Sequence, residues 1–270
     1  MFIVDAQVHI WAADTPERPW VQTPYRVHRT VPFSRDDLLH EMDAAGVQRA
    51  MLAPPPLEGD RNDLVLAAAV QNPDRFCVMG LLDIDRPSER GCIARWREQP
   101  GMLALRLNFK TQGNAAEDWL WAEAEAARVP VVLAISHDDM HLLGEAAGRH
   151  PGVKITVMHF GLDQRDKDEA AFAHFDRLLV LARHPNISVN ASCLPFYTTD
   201  VYPYRRLHPY VRQAYEAFGP RRMFWGTDLT RLPCTYRQAI TMFTEEMPWL
   251  SSEDKTWIMG RGFCEWFEWA

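Results

Sequence analysis

Short runs in which apolar residues alternate with polar ones, or cluster without a break, recur along the chain, and each is followed by a longer stretch of helical character. Eight such runs predict strands: Phe2–Ile10, Arg49–Ala53, Phe76–Leu82, Leu103–Phe109, Val131–Ser136, Lys154–His159, Ile187–Ala191 and Met223–Thr227. Ser34 ahead of Asp36 and Asp37 predicts an N-cap with an acidic first turn, and Ala122–Ala127 is dense in strong helix formers. The returns into strands carry proline at Asn72-Pro73, His150-Pro151, His184-Pro185 and Gly219-Pro220, where a helix has to stop before the next strand begins. The β/α alternation predicts an α/β fold, a single (β/α)8 TIM barrel over residues 1–270, a length that suits a fold of roughly 250 residues.

Helices on the outside of a parallel barrel demand apolar side chains there, so the period of two within each strand assigns the lumen. In the fourth strand Leu103, Leu105 and Leu107 share the outer parity, leaving Ala104, Arg106 and Asn108 inside. In the first, Phe2, Val4, Ala6, Val8 and Ile10 take the outer face and Asp5, Gln7 and His9 the lumen. The fifth puts Val131, Leu133 and Ile135 outside and Val132, Ala134 and Ser136 inside. His159 is expected at the inward carboxyl end of the sixth strand, and Asp228 just past the eighth. Gln7, His9, Arg106, His159 and Asp228 should therefore converge at the end of the barrel where such folds keep their active sites. The longer connections after the first and seventh strands carry Trp11, Trp20, Tyr25, Phe196, Tyr197, Tyr202 and Tyr204. They form either an aromatic rim for a flat or cyclic substrate or rings that only pack the loops onto the barrel.

Composition narrows the classes. A hydrophobic fraction of 47% supplies a substantial core, while 29 Lys and Arg against 36 Asp and Glu give a net charge of −7 with no basic cluster, which disfavours nucleic acid. Apolar runs are too short for a bilayer and no basic leader precedes one, so a soluble cytoplasmic protein is expected, without a membrane partner. The five cysteines are scattered and form no Cys-x-x-Cys pair, which points to packing rather than disulfides or a zinc cluster. Neither a dinucleotide or phosphate-binding glycine loop nor a Gly-x-Ser-x-Gly elbow is found.

Asp5-Ala6-Gln7-Val8-His9 resembles the Asp-x-His-x-His opening of the amidohydrolase barrels, with glutamine in place of the first histidine. Together with Val157-Met158-His159-Phe160-Gly161, Phe224-Trp225-Gly226-Thr227-Asp228 and Ile258-Met259-Gly260-Arg261-Gly262-Phe263, it makes nearly the whole chain similar to the amidohydrolase-2 branch of that superfamily. The branch includes metal-dependent decarboxylases of aromatic acids and lactone hydrolases similar to 2-pyrone-4,6-dicarboxylate lactonase, some of which act without metal. The resemblance implies Asp228 as the general base that deprotonates water and later protonates the leaving group, with His9 and His159 polarising the carbonyl. The residue types suit those roles. Arg106 offers a planar fork to a substrate carboxylate or carbonyl oxygen, unless it only fills the lumen by pairing with Asp5 or Asp83. Gln7, Trp11 and Tyr197 complete the expected substrate contacts.

His9, His159 and Asp228 also make two imidazoles and a carboxylate, a set able to hold one zinc or manganese ion. Against that, glutamine is a weak neutral donor, the fifth strand offers only Ala134 and Ser136 inside, and Arg106 adds a cation to the lumen with Lys110 beyond its strand. The expectation is a hydrolase that needs no cofactor and opens a lactone or related cyclic ester or amide, carboxylated or aromatic. The alternatives are a mononuclear metal-dependent hydrolase or non-oxidative decarboxylase, and a barrel that has lost catalysis and only binds a ligand. Four features are left over. His137–His141 looks like a ligand cluster by composition but falls where a helix starts, so Asp138 and Asp139 fit first-turn positions, and Asp163–Glu169 reads as a solvated face. Any of Arg205, Arg206, Arg221, Arg222 and Arg231 could meet an acidic substrate. The aromatic end Trp266-Phe267-Glu268-Trp269 points to internal packing or to a contact within a homo-oligomer.

Overall fold

Eight parallel strands follow one another in chain order around one sheet: β1 (Val4–His9), β2 (Arg49–Ala53), β3 (Phe76–Leu81), β4 (Met102–Asn108), β5 (Val131–Ala134), β6 (Ile155–Val157), β7 (Ile187–Ser192) and β8 (Met223–Gly226). The computed structural model describes residues 1–22, 29, 31–84, 90–108 and 118–270; Tyr25, Phe109, Lys110 and the side chain of Asn108 lie outside them. β8 returns beside β1, where Asp228 N donates to Gln7 O at 2.9 Å, and the sheet nearly closes. Around it run α1 (Arg35–Ala45), α2 (Asp63–Gln71), α3 (Asp118–Ala127), α4 (Met140–Arg149), α5 (Asp168–Ala171), α6 (Phe175–Val180), α7 (His208–Phe218), α8 (Tyr236–Thr244), α9 (Ser252–Thr256) and α10 (Gly262–Phe267). The expected (β/α)8 barrel is formed.

Local sequence explains the joints. Ser34 caps α1 in a reciprocal box with Asp37, as Thr235 does for α8 with Gln238. α2, α4 and α7 end within two residues of Pro73, Pro151 and Pro220. No helix among the described residues is long and apolar enough to cross a membrane.

Two apolar sets separate along the strands. Leu52, Val78, Leu105, Leu107, Val131, Leu133, Val157 and Val189 join the helices in the outer core. Val4, Ala6, Met51, Cys77, Met79, Ala104, Val132 and Phe224 form the inner set with Phe263 and Phe267 of α10. Phe2 and Val4 at the start of β1 lie against Gly260, just before α10, so this helix plugs the amino-terminal end of the barrel. Trp269 stacks under the Arg49 guanidinium at 4.8 Å and Phe267 is buried in the inner set, while Trp266 and Trp269 stay partly exposed.

Strict alternation fails in two strands. Pairing of β1 with β2 moves from Asp5↔Ala50 to Val8↔Leu52, so β1 spends three residues where β2 spends two. That bulge turns Val4 and Ala6 inward and Asp5 outward, contrary to the uniform parity expected, and then restores Gln7 and His9 to the lumen. A like shift between β3 and β4, from Val78↔Met102 to Met79↔Ala104, places Leu103 against the inner set rather than the outer. β5, β6 and β8 also stop earlier than expected. β6 and β8 end where the chain swings out of the ladder, at the positive φ of His159 (51°) and Asp228 (51°).

Candidate active site

His9 leaves the end of β1 with its Nδ1 at 2.8 Å from Ala53 O at the end of β2. A carbonyl only accepts, so Nδ1 carries the hydrogen and Nε2 faces Asp228 Oδ1 at 3.4 Å. His159 reaches the same place by a different route. Thr156 and Met158 already point inward, so plain alternation would send His159 out; its left-handed backbone returns the ring to the lumen. There Nδ1 meets Ser192 Oγ at 2.8 Å and Ser192 O at 3.2 Å, and Nε2 meets the Gln7 amide at 3.1 Å. Burial pulls the His159 pKa down to about 4 despite the attraction of Asp228, whose Oδ2 is 3.9 Å away, so the ring is neutral at physiological pH.

Asp228 is 1% exposed. Three residues on, in the turn that follows β8, Arg231 sets Nε 3.4 Å from Asp228 Oδ2 and packs its guanidinium 5.2 Å from the Phe196 ring. Of the five loop arginines considered from sequence, Arg231 is the one that pairs with Asp228. Arg106 projects from β4, donates Nη1 to Pro54 O at 2.7 Å and lies close enough to act electrostatically on His159. Asp5 bonds Thr227, Tyr236 and the Gln7 backbone, and so is no partner for Arg106.

The aromatic rim divides. Tyr197 is fully buried with its ring 6.4 Å from His159, and its hydroxyl has no partner among the described residues. Burial raises its pKa, which keeps it a neutral phenol able to donate. Trp11 belongs to the outer apolar set, 5.9 Å from Phe33, and its indole N–H has no partner among the described residues. Trp20 and Tyr202 pack and bond within the scaffold, to Ala12 O and Thr241. Asp163–Glu169 is more than a solvated face: Lys167 sits 3.5 Å from the Phe196 ring centroid, and Asp168 accepts from Thr198 Oγ1 at 2.6 Å and Thr199 N at 3.0 Å. These contacts fix the loop that carries Tyr197. His137–Asp139 forms a single 3-10 turn ahead of α4, and Asp138 pairs with Arg177.

Gln7, His9, His159, Asp228 and Tyr197 are thus gathered at the carboxyl ends of the strands, with Arg106 and Arg231 beside them. Sequence reasoning missed Ser192, although period two along β7 places it inward with Ser188 and Asn190. It also missed the outer network of Asp5, for which parity gives the opposite answer.

A metal would need the Nε2 lone pairs of both imidazoles together with the Asp228 carboxylate. The Gln7 amide stands 3.1 Å from that nitrogen of His159, and the two rings address different oxygens of Asp228. Among the described residues no three His, Cys, Asp or Glu side chains gather closely enough to hold an ion.

The Amidohydrolase family model matches residues 4–261. An L-fucono-1,5-lactonase from Burkholderia ambifaria is 26% identical over 239 residues, covering 84% of this chain and 80% of that protein. Among solved structures, a probable 2-pyrone-4,6-dicarboxylic acid hydrolase from Acinetobacter baumannii with citric acid bound superposes with a TM-score of 0.81 at 16% identity, over 99% of this chain and 100% of that one. An amidohydrolase from Burkholderia multivorans with bound zinc gives a TM-score of 0.80 at 17% identity, over 99% of both chains. These two likenesses extend the fold assignment.

Proposed function

Since the chain belongs to the amidohydrolase family, we propose that it hydrolyses a lactone or a related cyclic ester or amide by attack of water, without a required metal. The observation that carries this reading is the convergence of the buried Asp228 carboxylate with His9, His159 and Arg231. Asp228 takes a proton from water as the water oxygen bonds to the carbonyl carbon, and a tetrahedral oxyanion results. When substrate displaces the Gln7 amide from Nε2 and Ser192 Oγ turns to donate to Nδ1, His159 carries its hydrogen on Nε2 and hydrogen-bonds that oxyanion without giving up the proton. Tyr197 adds a second neutral donor. Collapse breaks the ring C–O or C–N bond, and Asp228 returns its proton to the leaving atom, so the sum is the addition of one water. Arg106 and Arg231 provide the positive charge for a carboxylate on the substrate.

The lactonase relative supports the choice of a cyclic ester. A second reading has one observation in its favour: His9 is pinned through Nδ1 to a backbone carbonyl, the way metal-ligating imidazoles are usually oriented. Both readings are tested by incubating protein purified without added metal with sugar 1,5-lactones and with carboxylated pyrones, before and after a chelator. Acid release that survives chelation supports the first. Activity lost to chelation and restored by zinc or manganese supports the second, and no acid release from any lactone overturns both.

A further inference from the structure

We propose that Asp5 is a positioning residue that holds the Asp228 carboxylate against Gln7 and His9 from outside the barrel, a role that rests on the hydrolase reading above. The bulge in β1 puts Asp5 on the helix side of the sheet, fully buried, while Gln7 and His9 face the lumen. Its Oδ1 accepts from Thr227 N at 2.8 Å and Gln7 N at 3.2 Å. Its Oδ2 accepts from Tyr236 Oη at 2.7 Å and from Thr227 Oγ1. Thr227 immediately precedes Asp228, and Asp228 N in turn donates to Gln7 O at 2.9 Å. One carboxylate therefore ties together the two strand ends that carry the base and its neighbours, and Tyr236 is itself held by the Trp225 ring stacked on it at 6.2 Å.

The chemistry explains why a carboxylate is needed. Four donors converge on two oxygens, which an ionised acid satisfies and an amide cannot, because its nitrogen brings donors of its own. Burial raises the Asp5 pKa and the hydrogen bonds from Thr227, Tyr236 and Gln7 oppose it, leaving it at about 6. The group is therefore ionised at neutral pH despite lacking solvent.

Asp5→Asn is expected to lower kcat by about 100-fold, the scale of a misplaced reacting group, while KM changes little and the protein still melts cooperatively. Tyr236→Phe removes a single donor and leaves the carboxylate, so it covers the case in which Asp5→Asn does not fold; a smaller fall in kcat at constant KM is expected. An unchanged kcat in Tyr236→Phe, or a loss in either variant that appears only in KM, overturns the proposal. Nitrogen-15 NMR of the His9 ring reads the same displacement without any substrate. A shift of the Nε2 resonance in Tyr236→Phe is expected, and an unmoved resonance overturns the positioning role even if no lactone is ever turned over.

Discussion

His159 and Asp228 both sit at strand ends in the left-handed region, with φ near 51°, a conformation that most residues with a side chain avoid. Such strain persists where the surroundings over-determine it, here through Ser192, Gln7 and Arg231. Asp228→Asn is expected to lower kcat by about 100- to 10,000-fold while a substrate analogue still binds, because the general base is lost and the pocket kept. Steady-state kinetics beside calorimetry decides it; a mutant with near-parental kcat removes Asp228 from the mechanism. His159 also makes a pH prediction. Its folded pKa falls from 6.5 to about 4, so the unfolded chain binds a proton that the folded one refuses. The stabilisation is complete above pH 6.5 and is lost as the pH falls through about 4, on the order of 3 kcal/mol. Asp5 works in the opposite sense, its contribution present below pH 3.8 and lost as the pH rises through about 6. Urea unfolding of the parent and His159→Gln should therefore show the parent's advantage shrinking on acidification, and parallel curves would refute the buried neutral ring. At this scale the residue types were legible: a carboxylate, two imidazoles and a guanidinium stand at inward strand ends. The choice of Arg231 among five arginines was not, because loop conformation decides which cation meets Asp228.

Among the elements, β1, β7 and β8 come close together at Gly226, beside the site. A Cβ on Gly226 would meet Ser192 Cβ at 3.1 Å and Ala6 Cβ and N at 3.2 Å, all on or beside backbone with little room to give. Gly226→Ala is expected to destabilise by about 1–3 kcal/mol and to lower the melting temperature, with kcat falling as β8 moves away from β1. An unchanged melt would show that the strands can separate there at no cost. The plug predicts a further effect. Phe263 is buried with Phe224 and Phe267, and Phe263→Ala should lose about 3–5 kcal/mol in denaturant unfolding, whereas an external helix would lose far less. Hydrophobic period and proline stops made all eight strands legible. The bulge in β1 was not, since one additional residue in a strand leaves the run of apolar and polar letters unchanged while rotating Val4, Asp5 and Ala6 to opposite faces.

For the molecule as a whole, metal content separates the mechanisms. Elemental analysis of protein prepared without added metal is expected to find less than stoichiometric zinc and manganese, and one tightly held ion per chain would move the chemistry to the metal-dependent reading. The sequence by itself determined the (β/α)8 barrel, since alternating strand and helix patterns of this length leave few other ways to bury every apolar face. It also determined that Asp228, His9, His159 and Arg106 stand at the same end of that barrel, because strand polarity is shared in a parallel sheet. Only the tertiary structure decided how they face one another: that Gln7 occupies His159, that Arg231 joins Asp228, and that Asp5 works from the opposite side of the sheet. Those choices depend on a one-residue register shift and on positive φ at two strand ends. Both are set by contacts between elements distant in the chain, which no local pattern records.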